Sequence, residues 1–331
     1  MPTIPLLICD DSNMARKQLF KALPPEWGVS VTMAVNGREG LEAIRRGLGD
    51  VVLLDLTMPE MDGYQTLAAI RDERLATKVI VVSGDVQDEA VRRVMELGAL
   101  AFVQKPADPE RLKQVLDELG LLGKPVQARM ADSAALSRVS FNDAFREVIN
   151  VAMGRAAALL ARVLGVFVQL PVPNVSILEV GELQMALADA QGSERLTAVC
   201  QGYIGGGIAG EALLLFHDSE IADMAQLMKL QGTNCADLEM LLDLSSILIG
   251  ACLSGIAEQI DVAFSQSHPQ VLGQGSSIDA LIRQNQHRWK RTLAVEISYS
   301  LEGHSIHFDL LMLFTEDSLE RLSHKLAYVM G

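Results

Sequence analysis

The sequence predicts two units of different fold class: an α/β unit with a doubly wound parallel sheet, and behind it an α+β unit of two similar halves. The first prediction rests on five short apolar runs that alternate with amphipathic helical patterns over residues 1–122, because this alternation is typical of a parallel sheet with crossover helices. The second rests on a repeat, since the strand-then-helix block at residues 211–228 returns at residues 308–326. A chain of 331 residues is long enough for both units.

The composition narrows the classes of partner and the location. The formal net charge is −14, and nucleic acid binds basic surfaces, so we expect no DNA binding. Charged side chains interrupt the longest apolar stretches, Arg155 and Arg162 in one and Asp243 in another, and we therefore expect no membrane insertion. The N-terminus lacks the pattern of a signal peptide and the four cysteines form no close pair, which indicates a cytoplasmic protein.

The first unit contains five strand and helix pairs in order. The apolar runs that predict strands are Leu6–Cys9, Val29–Ala34, Val51–Leu54, Val79–Val82 and Ala101–Val103. The helical patterns between and after them are Met14–Leu23, Gly37–Arg45, Gly63–Asp72, Asp88–Leu97 and Pro109–Leu119. In such a sheet, functional side chains collect at the carboxyl ends of the strands.

Polar side chains follow four of these strands at that edge of the predicted sheet. They are Asp10 and Asp11 after the first strand, Asp55 after the third, Ser83 after the fourth and Lys105 after the fifth. Clustered carboxylates repel one another, and Mg²⁺, which prefers carboxylate oxygens, would offset that repulsion. Together with Lys105 and the Ser83 hydroxyl, such a site would hold a phosphoryl group on Asp55 as an acyl phosphate.

Four motifs, ICDDS, LLDLTMPEMDG, VVSGD and FVQKP, give residues 1–122 their resemblance to a bacterial response-regulator receiver domain. The resemblance implies a five-stranded sheet in the order 2-1-3-4-5 and phosphorylation of Asp55 by a cognate histidine kinase. It also implies that Asp10, Asp11 and Asp55 bind Mg²⁺. The positions with implied roles in phosphate binding and switching are Ser83, Lys105 and the aromatic Phe102. A flavodoxin-like cofactor site is disfavoured, because no glycine-rich loop follows the first strand.

The segment after the first unit, residues 123–139, is predicted to be a linker. It mixes glycine, proline, serine and small residues without a strong period. Fully extended it would span at most about 50 Å, so the second unit is able to reach the first unit of its own chain. We expect that second unit at residues 140–331, in halves of about 140–235 and 236–331.

Two features repeat within the second unit. In the strand-and-helix block, Leu213 is matched by Leu311 at an offset of 98 residues. The other feature is a polar stripe on a helix-forming stretch, whose members fall in one narrow sector of a helix. The first of the two stripes is predicted to face outward. The first stripe consists of Asp143, Glu147, Asn150 and Gly154. Its copy, 96 residues later, consists of Glu239, Asp243, Ser246 and Gly250. Pro173 and Pro269 each follow the third member of their stripe by 23 residues.

The first stripe with its proline resembles the signature of the CheC/CheX/FliY phosphatases of bacterial chemotaxis, which reads Asp or Ser, Glu, Asn, Gly and Pro. The first half matches this signature at every position. The second half departs from it with Glu239, Asp243 and Ser246, so we expect a degenerate second site. The resemblance implies an α+β CheC-like domain with a pseudo-twofold internal repeat and a phosphorylated CheY-like response regulator as its partner.

Hydrolysis of a phosphoaspartate requires positioning above all, because water attacks phosphorus in line. The amide of Asn150 both donates and accepts hydrogen bonds and would orient that water. Glu147 would bind the lysine of the receiver through a charge-assisted bond. The substrate is either a CheY-like protein in trans or the chain's own Asp55, and phosphorylation of Asp55 either activates or inhibits. The alternative is a non-catalytic binding module that assembles or homodimerises under the control of phosphorylation.

Overall fold

The computed structural model describes residues 3–122, 130–131, 139–179, 196–228, 237–276 and 291–330. The chain divides into two compact units, residues 1–147 and 148–331. The boundary falls inside the helix Phe141–Leu164. The first seven residues of that helix, 141–147, therefore belong to the first unit.

A parallel sheet with helices between its strands forms the first unit. The strands are β1 (Ile4–Cys9), β2 (Val29–Ala34), β3 (Val51–Leu54), β4 (Lys78–Ser83), β5 (Ala101–Gln104) and β6 (Met130–Ala131). The helices are α1 (Asn13–Ala22), α2 (Gly37–Arg45), α3 (Gly63–Asp72), α4 (Asp88–Glu96), α5 (Pro109–Glu118) and the start of α6 (Phe141–Leu164). The strand order is 5-4-3-1-2-6, which confirms the predicted five-stranded order 2-1-3-4-5.

The two-residue strand β6 is an addition that the sequence did not indicate. It pairs in parallel with β2, where Ser30 lies opposite Met130. Two residues of the predicted linker thus extend the sheet, because a parallel edge strand offers its backbone groups to any segment that passes alongside. Residues 123–129 and 132–138 of that linker lie outside the described residues.

Apolar side chains of the first unit fill two cores, one on each face of the sheet. Leu6 and Ile8 of β1 pack with Trp27 on one face, whereas Leu7 and Cys9 pack on the other. This alternation follows from the two-residue period of a strand, and burial on both faces is typical of a parallel sheet covered by helices. The sheet is thereby fixed on both sides, and its carboxyl edge becomes a rigid platform.

An antiparallel sheet with helices forms the second unit. Its strands are β7 (Val168–Gln169), β8 (Asn174–Glu179), β9 (Leu196–Gly205), β10 (Ile208–His217), β11 (Ser265–Gln266), β12 (Gln270–Ser276), β13 (Arg291–Leu301) and β14 (His307–Phe314). Its helices are the remainder of α6, α7 (Ile221–Leu227), α8 (Asp237–Ile260) and α9 (Glu316–Met330). The order is 11-9-10-14-13-7, with β12 paired to β9 and β8 paired to β13. The α+β class predicted for this part of the chain is confirmed.

The two halves of this unit repeat one arrangement and exchange strands. The helices α6 and α8 both contain 24 residues and begin 96 residues apart. The short strands of each half pair with the long strand of the other half, β7 and β8 with β13, and β11 and β12 with β9. At the centre, β10 pairs with β14, and Leu213 lies directly opposite Leu311. Because the repeat equates these two leucines, their pairing marks the pseudo-twofold axis.

The strand and membrane predictions for the second unit have mixed outcomes. The sequence of the second unit also favours strands at Thr197–Ile204, Leu293–Leu301 and Glu182–Ala188. The first two are strands, within β9 and β13, whereas the third lies outside the described residues. The expectation that no segment is long and apolar enough to span a bilayer is wrong for α8, because the single charge of Asp243 does not break an 18-residue apolar window. More than half of that window is buried inside the protein, as in the core helix of a soluble protein, so the evidence for a membrane span is weak.

Candidate functional site

Three carboxylates lie together at the carboxyl ends of β1 and β3. One oxygen each of Asp10, Asp11 and Asp55 lies within 4.8 Å of the others. Asp10 and Asp55 are buried, and both oxygens of Asp55 lack a hydrogen-bond partner among the described residues. A hard divalent cation takes such oxygen ligands and would offset their repulsion. The donor set therefore fits Mg²⁺.

Strand pairing brings these carboxylates together. Cys9 lies opposite Leu54 in the β1–β3 register, and the backbone N–H of Asp55 donates to the carbonyl of Cys9 at 2.9 Å. Gly63 then passes close to the backbone of Asp55, since a Cβ atom at position 63 would lie 2.3 Å from the Asp55 carbonyl oxygen. Only glycine permits that approach, so the loop after β3 is held tightly against the cluster.

Lys105 supplies the positive charge of this edge. Its buried Nζ lies 2.7 Å from Oδ2 of Asp10, 3.3 Å from Oδ1 of Asp55 and 3.2 Å from Oε1 of Glu147. Burial lowers the pKa of Lys105, but the charges of these carboxylates outweigh burial and hold the pKa well above its usual range. The amine is therefore charged and fixed between the carboxylates of Asp10, Asp55 and Glu147.

The acids of the cluster hold more negative charge than one lysine balances. Burial raises the pKa of Asp55 well above its usual range, and Asp10 and Glu147 raise it further, against the effect of Lys105. Burial, reinforced by Asp10, raises the pKa of Asp11 to about 6. Burial likewise raises the pKa of Glu147 to about 7, although Lys105 opposes it. A further cation at this edge would relieve all three shifts.

The other two predicted receiver residues are Ser83 and Phe102, on the neighbouring strands β4 and β5. Ser83 is buried at the end of β4, where its Oγ accepts from the N–H of Asp85 at 3.2 Å and its carbonyl accepts from the N–H of Lys105 at 2.9 Å. Phe102 is half-buried on β5 and packs against the core cluster of the second sheet face. The bond between Lys105 and Pro106 is cis.

The first turns of α6, which belong to the first unit, meet the same edge. The Asp143 carboxylate accepts from the N–H of Asn13 at 3.0 Å and from the N–H of Met14 at 2.9 Å, the first two amides of α1. Nη2 of Arg146 lies 3.6 Å from Oδ2 of Asp11. The prediction that the stripe faces outward is wrong for Asp143 and Glu147, because these contacts and the ion pair with Lys105 bury both carboxylates.

The remaining members of the first stripe belong to the second unit. Asn150 and Gly154 are buried on α6, so the outward orientation predicted for them is also wrong. Pro173 is buried and directly precedes β8.

The copy of the stripe differs from the first in its exposure. Its first two members, Glu239 and Asp243, are exposed on α8, and its last two, Ser246 and Gly250, are half-buried. Pro269 directly precedes β12, as Pro173 precedes β8. The repeat thus preserves the backbone positions while the side chains and their exposure differ.

Sequence reasoning missed two participants at the edge of the sheet that carries Asp10, Asp55 and Lys105. One is Arg146, which lies between Asp11 and Asp143. Its position three residues after Asp143 on a helix is a signal that would have found it. The other is the backbone N-terminus of α1, which no side-chain pattern reveals. The residues that the structure brings together in the first unit are Asp10, Asp11, Asp55, Ser83, Lys105, Asp143, Arg146 and Glu147.

Comparison with known proteins identifies the first of these folds. Residues 6–117 match the family described as the response regulator receiver domain, so the chain contains a receiver domain. It is 32% identical over 124 residues to the probable C4-dicarboxylate response regulator DctR of Bacillus subtilis, covering 37% of this chain and 55% of that protein. It is 44% identical over 108 residues to protein-glutamate methylesterase/protein-glutamine glutaminase 3 of Geobacter sulfurreducens, covering 32% of this chain and 29% of that protein.

One solved structure is similar over a longer part of the chain. The crystal structure of FliY from Thermotoga maritima covers 61% of this chain and 100% of its own, at 17% identity and a TM-score of 0.43. The chain spans about half the length of the DctR protein and less than a third of the methylesterase.

Proposed function

We propose that this receiver-domain protein is a two-component signalling protein that hydrolyses the aspartyl phosphate of a response regulator. The observation that carries the proposal is the ion pair of 3.2 Å between Glu147 and Lys105. It joins the glutamate of the phosphatase-like signature to the lysine that would bind the phosphoryl group. A solvated stripe would leave both side chains in water, whereas here both are buried and paired.

The receiver half of the proposal assigns the phosphoryl group to Asp55, supplied by a cognate histidine kinase. Asp10, Asp11 and Asp55 would hold Mg²⁺, which when bound neutralises phosphoryl oxygens. The amine of Lys105 would also neutralise negative charge on the phosphoryl oxygens, and the Ser83 hydroxyl would donate a hydrogen bond to one of them. Phe102, half-buried on β5, is proposed as the aromatic that changes position with phosphorylation.

The catalytic half of the proposal rests on Glu147 and Asn150. Glu147 binds the lysine and fixes the helix against the phosphoacceptor edge. Asn150 orients the attacking water, because its amide accepts from the water and donates to it or to a phosphoryl oxygen. Gly154 leaves room on the same helix, and Pro173 sets the entry into β8.

The second stripe is proposed to be vestigial. Asp243 is one methylene shorter than glutamate, and Ser246 lacks the simultaneous donor and acceptor of an amide. Loss of activity on joint replacement of Asp243 and Ser246 would contradict this assignment. Glu239, Gly250 and Pro269 then remain as traces of the duplication.

The setting of the reaction follows from the same proposal. Its substrate is a phosphorylated receiver, either a separate CheY-like protein or the receiver of this chain. The pathway we propose is bacterial chemotaxis. We propose a cytoplasmic location, no DNA binding and an optional homodimer. The proposed domains are a receiver at residues 1–122, a linker at 123–139 and a phosphatase domain at 140–331.

The test compares Asn150→Ala with a matched control on the same helix, Asn142→Ala, whose side chain is exposed. Phosphate release is measured from Asp55 of the full chain and from a separate phosphorylated CheY-like receiver. We expect Asn150→Ala to lower the rate by roughly 100-fold on at least one of these substrates, because water positioning of this kind has effects of that size. Asn142→Ala should leave the rate unchanged. Equal rates for wild type and Asn150→Ala on both substrates would refute the proposal.

A second candidate function is a binding module without catalysis. It is favoured by one observation, that the second half keeps the helix and strand positions of the first although its motif is degenerate. The fold therefore persists without a complete signature. Tight binding of a phosphorylated receiver whose phosphate lifetime does not change would favour this alternative.

A further inference from the structure

We infer that the phosphoryl group this chain removes is the one on its own Asp55, and that Asp143 positions the helix for that reaction by capping α1. The inference rests on the proposed function and names its substrate. The protein would thus limit the lifetime of its own phosphorylated state, because the chain that carries the receiver also dephosphorylates it.

The start of α6 makes three contacts with the phosphoacceptor edge, all inside the first unit. Asp143 binds the amides of Asn13 and Met14, Arg146 lies beside Asp11, and Glu147 binds Lys105. The partners in the first contact are separated by about 130 residues of sequence. Three independent contacts on one edge describe a specific recognition surface rather than a chance ion pair.

Asp143 completes the N-terminus of α1. The first N–H groups of a helix have no hydrogen-bond acceptor within the helix. The Oγ of Ser12 accepts from one of them, the N–H of Ala15, at 3.1 Å. The two carboxylate oxygens of Asp143 accept from the two preceding N–H groups, those of Asn13 and Met14. A carboxylate is favourable there because the N-terminus of a helix carries partial positive charge. Asp143 binds backbone N–H groups of α1. The strength of this contact therefore depends on where α1 begins and not on a side chain of the receiver.

The spacing of the two anchors suits the phosphoacceptor edge. Asp143 and Glu147 are four residues apart, about 6 Å along a helix axis and on one face. Ser12 at the start of α1 donates its N–H to Oδ1 of Asp10 at 2.9 Å, and Asp10 in turn lies 2.7 Å from Lys105. The two anchoring points are thus joined through Asp10 and keep a fixed separation. Asn150 follows Glu147 by three residues on the same helix.

Covalent connection gives this contact its advantage over a separate receiver. Residues 123–139 join the last predicted receiver element to the start of α6, and so short a connection raises the effective concentration into the millimolar range. A free receiver at cellular concentration has to compete with that value and displace Asp143 and Glu147 from their partners. The intramolecular substrate is therefore favoured.

The test uses full-length chains that are loaded on Asp55 with acetyl phosphate and Mg²⁺ and then freed of the donor. The lifetime of the phosphoryl group is measured over a 100-fold range of protein concentration in wild type and Asn150→Ala. We expect a lifetime in wild type that does not change with concentration and is at least tenfold shorter than in Asn150→Ala. A mixing experiment adds Asp55→Asn, which keeps Asn150 but has no phosphoacceptor, to phosphorylated Asn150→Ala. We expect no shortening of the lifetime.

The role of Asp143 is tested with a conservative pair. Asp143→Leu should lengthen the lifetime by roughly tenfold, as expected for loss of a helix cap, while Asp143→Ser, whose hydroxyl still accepts from helix amides, should restore most of the wild-type rate. Asn142→Ala is the matched control and should have no effect. Far-ultraviolet circular dichroism checks that each variant is folded, and the serine variant keeps the test valid if the leucine variant is not.

The outcomes separate this inference from the proposed function. A lifetime that shortens in proportion to concentration, or a rescue by Asp55→Asn, would overturn the intramolecular substrate and leave a phosphatase that acts between chains. Equal lifetimes for Asp143→Leu, Asp143→Ser and wild type would overturn the role of Asp143. If Asn150→Ala matches wild type here and on a separate receiver, the proposed function itself fails.

Discussion

The buried carboxyl of Asp85 makes the stability of the first unit depend on pH. Asp85 follows β4, and its Oδ1 accepts from the backbone N–H and the side-chain Nε2 of Gln87, each at 3.1 Å. Burial raises the pKa of Asp85 from 3.8 to about 6, although the hydrogen bonds from Gln87 and the charge of Arg93 oppose the shift. The folded protein thus binds this proton more tightly than the unfolded chain does.

The sign and size of the effect follow by linkage. Because the folded pKa exceeds the unfolded one, the free energy of unfolding falls as the pH rises from about 4 to about 6 and the penalty is complete above that range. A shift of about two units corresponds to about 3 kcal/mol. Asp85→Asn removes the charge and keeps an acceptor for Gln87. We expect this variant to exceed wild type in unfolding free energy by about 3 kcal/mol at pH 8 and by about 1 kcal/mol at pH 4.5.

Urea unfolding followed by tryptophan fluorescence measures this difference. The chain has two tryptophans, and a Trp289→Phe background leaves Trp27, which is buried in the first unit, as the reporter. Asp50→Asn, which removes an exposed carboxylate, is the control and should show nearly the same difference from wild type at both pH values. A gap between Asp85→Asn and wild type that is the same at pH 4.5 and pH 8 would refute the reasoning.

Three further substitutions have outcomes that follow from single contacts. Gly63→Ala should destabilise the first unit by about 2 to 3 kcal/mol and abolish phosphorylation of Asp55 by acetyl phosphate, because the added Cβ collides with the Asp55 carbonyl; full phosphorylation would contradict this. Trp27→Phe should cost about 1 to 2 kcal/mol in a urea titration followed by circular dichroism, since it deletes the bond of 3.0 Å from the indole N–H to the carbonyl of Leu121; an unchanged midpoint would count against it. Tyr203→Phe should lower the free energy of unfolding of the second unit by about 1 kcal/mol, because its buried hydroxyl donates to a carbonyl of β14 at 3.1 Å; calorimetry that shows no change would disprove it.

The first unit was readable from sequence because its signals are local. Each apolar run lies next to the polar residues that follow it in the chain, and the rule that functional side chains collect at the carboxyl ends of the strands predicts a cluster of Asp10, Asp55 and Lys105. The offset of 96 residues likewise predicted two equivalent helices, and α6 and α8 have the same length. The two short strands of each half and their exchange were not predicted, because the pairing of β8 with β13 depends on residues more than 110 positions apart.

The main error was the prediction that the first stripe is exposed. Polar residues on one helix face predict exposure, since burying a carboxylate without a partner is costly. The partners of Asp143 and Glu147 are backbone amides of α1 and the amine of Lys105, all contributed by distant parts of the chain. No periodicity within residues 140–164 contains that information.

The strand exchange between the two halves limits how this domain can change over time. Strand β8 of the first half is hydrogen-bonded to β13 of the second, and β12 of the second to β9 of the first. An excised half would therefore leave its own short strands without the backbone partners that they have in the whole domain. Deletion of the copy that carries Asp243 and Ser246 would thus remove strand partners of the first half, even where the chemistry of the copy has no role. Substitutions in the duplicated motif are therefore tolerated, whereas the strands around it are constrained by their pairing with the other half.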